Sequence, residues 1–169
     1  RAVGFVGSSP IAQSIYTAAA AQNKRAQCFG GAKNHMVIMP DADLEQAADA
    51  LIGAAFGSAG ERCMAISVAV PVGEATADTL RKLLEERIAT LTLGPSLDES
   101  SDFGPVVSAQ AKERIESYIA AGEKEGAELV VDGRGATVDG HPNGFWVGAT
   151  LFDRVTPEMS IYREEIFGP

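Results

Sequence analysis

The residues best suited to chemistry sit in one short stretch, Gly57-Ser-Ala-Gly-Glu-Arg-Cys63-Met-Ala65. Cys63 is one of only two cysteines among 169 residues. A thiol is a strong nucleophile at neutral pH because part of it is already thiolate. Gly57 and Gly60 let a ligand approach the backbone closely. Arg62, next to the sulfur, carries a positive charge that favours the thiolate. The plainer reading of Cys63 is a buried small hydrophobe. The plainer reading of Arg62 is a salt bridge, for instance to Glu61.

A second candidate is Gly7-Ser8-Ser9-Pro10. A strand, a small-residue turn and a helix N-terminus together hold a phosphate on free backbone N–H groups. The same residues also make an ordinary capped turn, and no full GxGxxG fingerprint is present. Asp41 and Asp43 could be a metal pair, but no nearby histidine or third carboxylate completes a ligand set, so no metal is expected. Glu164–Glu165 alone reads as a solvated charge step. His35 and His141 could each do acid–base work, yet neither belongs to a recognisable constellation. No Ser-His-Asp or Cys-His pairing is legible.

The elements that must position these groups alternate, which argues an α/β fold with a largely parallel sheet and flanking helices. Residues 2–6 read as a buried strand, followed by a helix with Ser8 or Ser9 as N-cap and Pro10 in its first turn. Residues 27–34 read as a strand ending in a glycine turn. Residues 36–39 form a continuous apolar run, predicted as a buried strand. Leu44, Ala47, Ala48, Leu51, Ile52 and Ala55 then repeat at helical spacing and deliver the chain to Gly57. Residues 66–72 predict a strand. Residues 76–90 predict an amphipathic helix with Arg81, Lys82, Glu85 and Glu86 on a solvated face. Residues 108–126 predict a helix capped by Ser108, residues 127–131 a short strand, and 132–144 a surface loop.

Composition narrows the function. Hydrophobic residues make up 46% and charged residues 22%, as in a folded globular domain. The net charge of −9, with no basic cluster, argues against nucleic acid or an anionic membrane as partner. Two cysteines cannot build a disulfide framework, which points to a reducing compartment. No apolar run reaches the ~18 residues of a membrane span, and no signal peptide is seen.

Phe56-Gly-Ser-Ala-Gly-Glu-Arg-Cys-Met-Ala65 resembles the nucleophile motif of the aldehyde dehydrogenase superfamily. Its Gly-Glu-Arg-Cys-Met-Ala form is most similar to the CoA-acylating methylmalonate-semialdehyde dehydrogenases. Glu164-Glu-Ile-Phe-Gly-Pro169 resembles a second hallmark of the family, and the Gly7-Ser8 pair a third. The resemblance implies an internal piece of a longer enzyme. Residues 1–28 would end the NAD-binding domain, and residues 29–169 would be most of the catalytic domain, with its C-terminal part missing.

By that resemblance Cys63 is the catalytic nucleophile and its backbone N–H an oxyanion donor. Arg62 grips a substrate carboxylate. Gly7 and Ser8 lie by the pyrophosphate of NAD, Glu165 accepts hydrogen bonds from the nicotinamide ribose, and Phe167 packs beside the nicotinamide. Hydrolytic members carry a glutamate base thirty-four residues ahead of the nucleophile, and that position here is Phe29. Without a base to activate water, an acyl-enzyme waits for a better nucleophile, and CoA is one. The implied reaction oxidises methylmalonate or malonate semialdehyde to propionyl-CoA or acetyl-CoA, with carbon dioxide and NADH. A hydrolytic dehydrogenase of another semialdehyde, or an isolated piece without activity, are the competing expectations. The resemblance also implies a small-molecule substrate, a homodimeric or homotetrameric parent, and a bacterial cytoplasmic or mitochondrial-matrix location.

Overall fold

The structure is a computed structural model that describes residues 1–169. The chain divides into two compact units, Arg1–Ala32 and Lys33–Pro169. Within the first unit, Gly31 N–H donates to Ser9 Oγ at 3.0 Å.

The first unit is one β-α-β element. Strand β1 (Ala2–Val6) leads through Gly7 into helix α1 (Ser9–Ala21), and strand β2 (Arg25–Phe29) returns parallel to β1, with Val6 opposite Phe29. Ala12 and Ala19 are the buried residues of α1. Small side chains let the helix lie close to the pair. Strand β1 is not the buried strand expected: Val6 is 64% exposed.

The second unit holds the main core. Strand β3 (Asn34–Ile38), helix α2 (Leu44–Phe56), a 3-10 turn (Gly57–Gly60) and strand β4 (Ile66–Pro71) form a second parallel unit. Asp43 caps α2 by accepting from Gln46 N–H at 3.1 Å, which satisfies one of the helix's free donors. Ile38, Ala48 and Leu51 are buried, whereas Val37 is 62% exposed, so the apolar run of β3 is covered on one face only.

Helix α3 (Glu74–Ile88) packs on α2 through Leu80, Leu84 and Ile88. Helix α4 (Ala109–Glu125) begins where Ser108 accepts from Ala111 N–H at 3.1 Å and ends at Gly126, whose φ of 98° is left-handed. Strand β5 (Glu128–Val131) pairs antiparallel with β6 (Leu151–Asp153), the exception to the parallel rule. A short helix, α5 (Ser160–Arg163), precedes the C-terminal segment.

One expectation fails on α3. Arg81 does not simply face solvent; it bonds Glu85, Glu128 and Asp153 at 2.9, 2.7 and 3.0 Å. Three carboxylates around one guanidinium hold its pKa above the ordinary arginine value, led by the bond to Glu128. Arg81 therefore ties α3 to the β5–β6 pair.

Candidate active site

The Gly57–Ala65 stretch is a strained loop between α2 and β4. Ser58, Ala59 and Gly60 have φ of 55°, 53° and 67°, three consecutive left-handed residues. Each non-glycine in that region costs about 1–2 kcal/mol, and such strain persists where surrounding contacts impose it. A tight turn follows, closed by Ala65 N–H donating to Arg62 O at 3.0 Å. Cys63 and Met64 form its tip. The Cys63 thiol is free and exposed. Its backbone N–H has no partner within the chain and remains available to an incoming oxyanion.

Arg62 does not pair with Glu61. Its Nη2 donates to Gly53 O at 2.6 Å and Ala54 O at 3.0 Å, the last carbonyls of α2. A cation belongs there, at the negative end of the helix. Both Nη2 hydrogens are thus spent, leaving Nε and Nη1. Glu61 turns the other way: one carboxylate oxygen accepts from Val107 N–H at 3.0 Å, and the other is buried without a partner. Burial pushes the Glu61 pKa up, against the opposing pull of Val107 N–H and Arg114.

Three residues at or just before the start of β3 lie beside the Cys63 stretch and the C-terminal segment; of these the sequence reading singled out only His35, as a possible acid–base group. Asn34 Nδ2 donates to Cys63 O at 2.8 Å and to Ala65 O at 2.9 Å. Lys33 Nζ donates to Ile161 O at 3.0 Å. Burial lowers the Lys33 pKa, while Glu165 and Glu164 pull it back up. His35 spends both ring nitrogens, on Lys33 O at 2.8 Å and Tyr162 OH at 3.0 Å.

The C-terminal segment lies directly behind the nucleophile loop. Arg114 Nη2 donates to Ile166 O at 3.2 Å, and Thr150 N–H donates to Pro169 O at 2.9 Å. Phe167 has φ 58°, an unusual conformation for a bulky residue. A Cβ on Gly60 would collide with the Gly168 carbonyl. Arg62, Glu165 and Phe167 line one cavity of about 580 Å³, together with Lys33, Asn34 and Tyr162. Cys63 is not among its lining residues; its neighbours Arg62 and Ala65 are.

Gly7 and Ser8 belong to the first unit. Gly7 N–H donates to Phe29 O at 3.1 Å. A Cβ on Gly7 would lie 2.7 Å from the tip of the Phe5 ring, so a side chain there would push that ring aside. Ser8 occupies the N-cap of α1, but its hydroxyl makes no capping bond and Pro10 offers no N–H. Ser9, by contrast, is spent on Gly31. Phe29 is 54% exposed at the end of β2 and is not the core aromatic its type suggests.

The aldehyde dehydrogenase family profile matches residues 1–169. A malonate-semialdehyde dehydrogenase of Pseudomonas aeruginosa is 57% identical over the whole chain, which covers 34% of that protein. A solved structure described as a methylmalonate-semialdehyde dehydrogenase of Sinorhizobium meliloti 1021, complexed with NAD, superposes with TM-score 0.96 at 61% identity. It is covered over 34% of its length by 99% of this chain. The methylmalonate-semialdehyde dehydrogenase of Oceanimonas doudoroffii superposes with TM-score 0.96 at 56% identity, with the same coverage of both chains. The chain therefore spans about a third of the length of the curated relatives it matches. With a nucleophile motif, a matching C-terminal hallmark and a profile match from end to end, this chain belongs to the aldehyde dehydrogenase family.

Proposed function

We propose that this chain carries the nucleophile and one edge of the nicotinamide site of an NAD-dependent malonate- or methylmalonate-semialdehyde dehydrogenase that passes its acyl group to CoA. The observation that carries this reading is the exposed Cys63 thiol, at the tip of a turn whose own N–H is free, in a chain with Phe29 where hydrolytic members have their base.

The Cys63 thiolate attacks the aldehyde carbon, forming a C–S bond and a thiohemiacetal. The Cys63 N–H donates to the developing oxyanion. Bound NAD would supply the hydride acceptor that this oxidation requires. Within the second unit, Glu165 and Phe167 are the residues that would hold its nicotinamide end, through a carboxylate and an aromatic face. The thioester left on Cys63 loses carbon dioxide from its carboxylate end, the electron pair left on the α-carbon takes up a proton, and the CoA thiol then displaces Cys63, which regains a proton. Thiol attack needs no base comparable to the one water requires. The expected products are acetyl-CoA or propionyl-CoA.

The test is made in the P. aeruginosa relative with its matching third replaced by this chain. Product analysis should find acyl-CoA and little free acid. Phe29→Glu should raise the share of free acid roughly tenfold or more, since a positioned base contributes about 10²–10⁴. An unchanged partition would sever the missing base from the choice of CoA.

Arg62 would meet the substrate carboxylate through Nε or Nη1 unless it gives up an α2 carbonyl. Arg62→Leu should lower kcat/KM for methylmalonate semialdehyde about tenfold to a hundredfold more than for propanal, because a hydrogen bond to a charged group is worth about 1.5–3 kcal/mol. Equal losses on both aldehydes would leave Arg62 only its hold on α2.

A further inference from the structure

We infer that Asn34 is a positioning residue for acyl transfer: its carboxamide fastens the Cys63 turn so that the Cys63 N–H points outward as an oxyanion donor. The inference rests on Cys63 being the acyl acceptor. The geometry is specific. Asn34 stands at the first position of β3 and spends both amide hydrogens on Cys63 O and Ala65 O, at 2.8 and 2.9 Å. Its amide orientation is settled by chemistry, since the reversed amide would set an oxygen against two carbonyl oxygens.

The consequence follows from peptide planarity. The Arg62 carbonyl is taken by Ala65 N–H inside the turn, so the N–H across the same peptide plane, that of Cys63, is directed away from it. Asn34 anchors the next carbonyl, that of Cys63, and the one closing the turn, that of Ala65. The ladder between β3 and β4 shifts register between Asn34 and His35, so the chain departs from regular pairing beside this brace. Glu61 and Arg62 are each tied elsewhere, to Val107 and to α2. Asn34 is thus the side chain that reaches the two carbonyls at and beyond the sulfur-bearing residue.

Two reactions of the same thiol separate positioning from mere stability. Acylation by p-nitrophenyl propionate passes through a tetrahedral oxyanion: the Cys63 thiolate forms a C–S bond, the ester C–O bond breaks, and nitrophenolate leaves. Alkylation by iodoacetamide is a direct displacement of iodide with no oxyanion. Both rates are read at Cys63 by peptide mass spectrometry on the intact 169-residue chain, with Cys28, in the other unit, as internal reference.

Asn34→Ala and the near-isosteric Asn34→Asp should each slow acylation about tenfold or more, since a small misplacement at a reacting group costs up to about 10²-fold, and leave alkylation within roughly twofold. Equal slowing of both reactions would assign Asn34 a structural role only and overturn the inference. So would an unchanged acylation rate, or a wild-type acylation-to-alkylation ratio no higher than that of N-acetylcysteine. A Cys63→Ser chain still acylated at this position would instead refute the nucleophile itself, an outcome separable from the Asn34 result.

Discussion

Cys63→Ser is expected to lower aldehyde oxidation in the segment-swapped enzyme by about 10⁴-fold or more, the usual loss when a covalent nucleophile is removed. The magnitude follows from what surrounds the turn. A serine hydroxyl needs a base to take its proton, and the side chains of this region are committed or buried. His35 uses both ring nitrogens. Lys33 donates to Ile161 O. Glu61 accepts from Val107 N–H, and burial raises its pKa. A thiol works here because it needs little activation. The check is NADH formation together with mass spectrometry for an acyl adduct after incubation with propionyl-CoA. Cys28→Ser, in the middle of β2, should leave both readouts within roughly twofold, as for substitutions away from any special feature. A serine enzyme retaining a tenth or more of wild-type rate would remove Cys63 from the mechanism.

The Cys63 stretch stood out in the sequence because its signal is local: glycines, an arginine and a rare cysteine within nine residues. The helices were legible for the same reason. Asp43 and Ser108 are caps by type, and Gly126 ends α4 in the left-handed conformation that glycine adopts freely. What escaped was set by partners far away in the chain. Asn34 acts on residues 29 and 31 positions on, and no periodicity encodes that. Arg81 looks like any helix-surface cation until β5 and β6 bring Glu128 and Asp153 to it. Strand β6 has only three residues, too few to show alternation. The apolar runs of β1 and β3 suggested burial on both faces, yet Val6 and Val37 lie open. Arg62 carries the sharpest lesson. Adjacency to Cys63 suggested a charge on the sulfur, whereas the backbone turns its guanidinium onto α2.

Gly60→Ala should be among the most damaging single-methyl substitutions in this chain. The residue has φ 67°, which costs any L side chain about 1–2 kcal/mol. The added carbon would also strike the Gly168 carbonyl and sit 3.1 Å from Ala55 O. Both obstacles are backbone and cannot rotate aside. Nor can Gly168 retreat easily. A Cβ there would lie 2.6 Å from Ile115 Cδ1, and Ile115 is fully buried. Its neighbours Ile166 and Pro169 are pinned through their carbonyls by Arg114 and Thr150. Overpacking of this kind adds about 1–3 kcal/mol. The sum is about 2–5 kcal/mol, or a fall in melting temperature of roughly 5–15 °C for a chain of this size. Gly53→Ala is the matched control. It sits within α2 with nothing inside 4 Å of its added carbon, and a helical alanine should stabilise by about 1 kcal/mol. Thermal unfolding of the two variants should therefore move in opposite directions, and equal midpoints would refute the packing argument. The damage should also reach function. The only ways to seat a methyl at Gly60 are to shift the loop that carries Cys63 or the segment that carries Glu165 and Phe167, because these two pieces of backbone meet at paired glycines with no side chain between them.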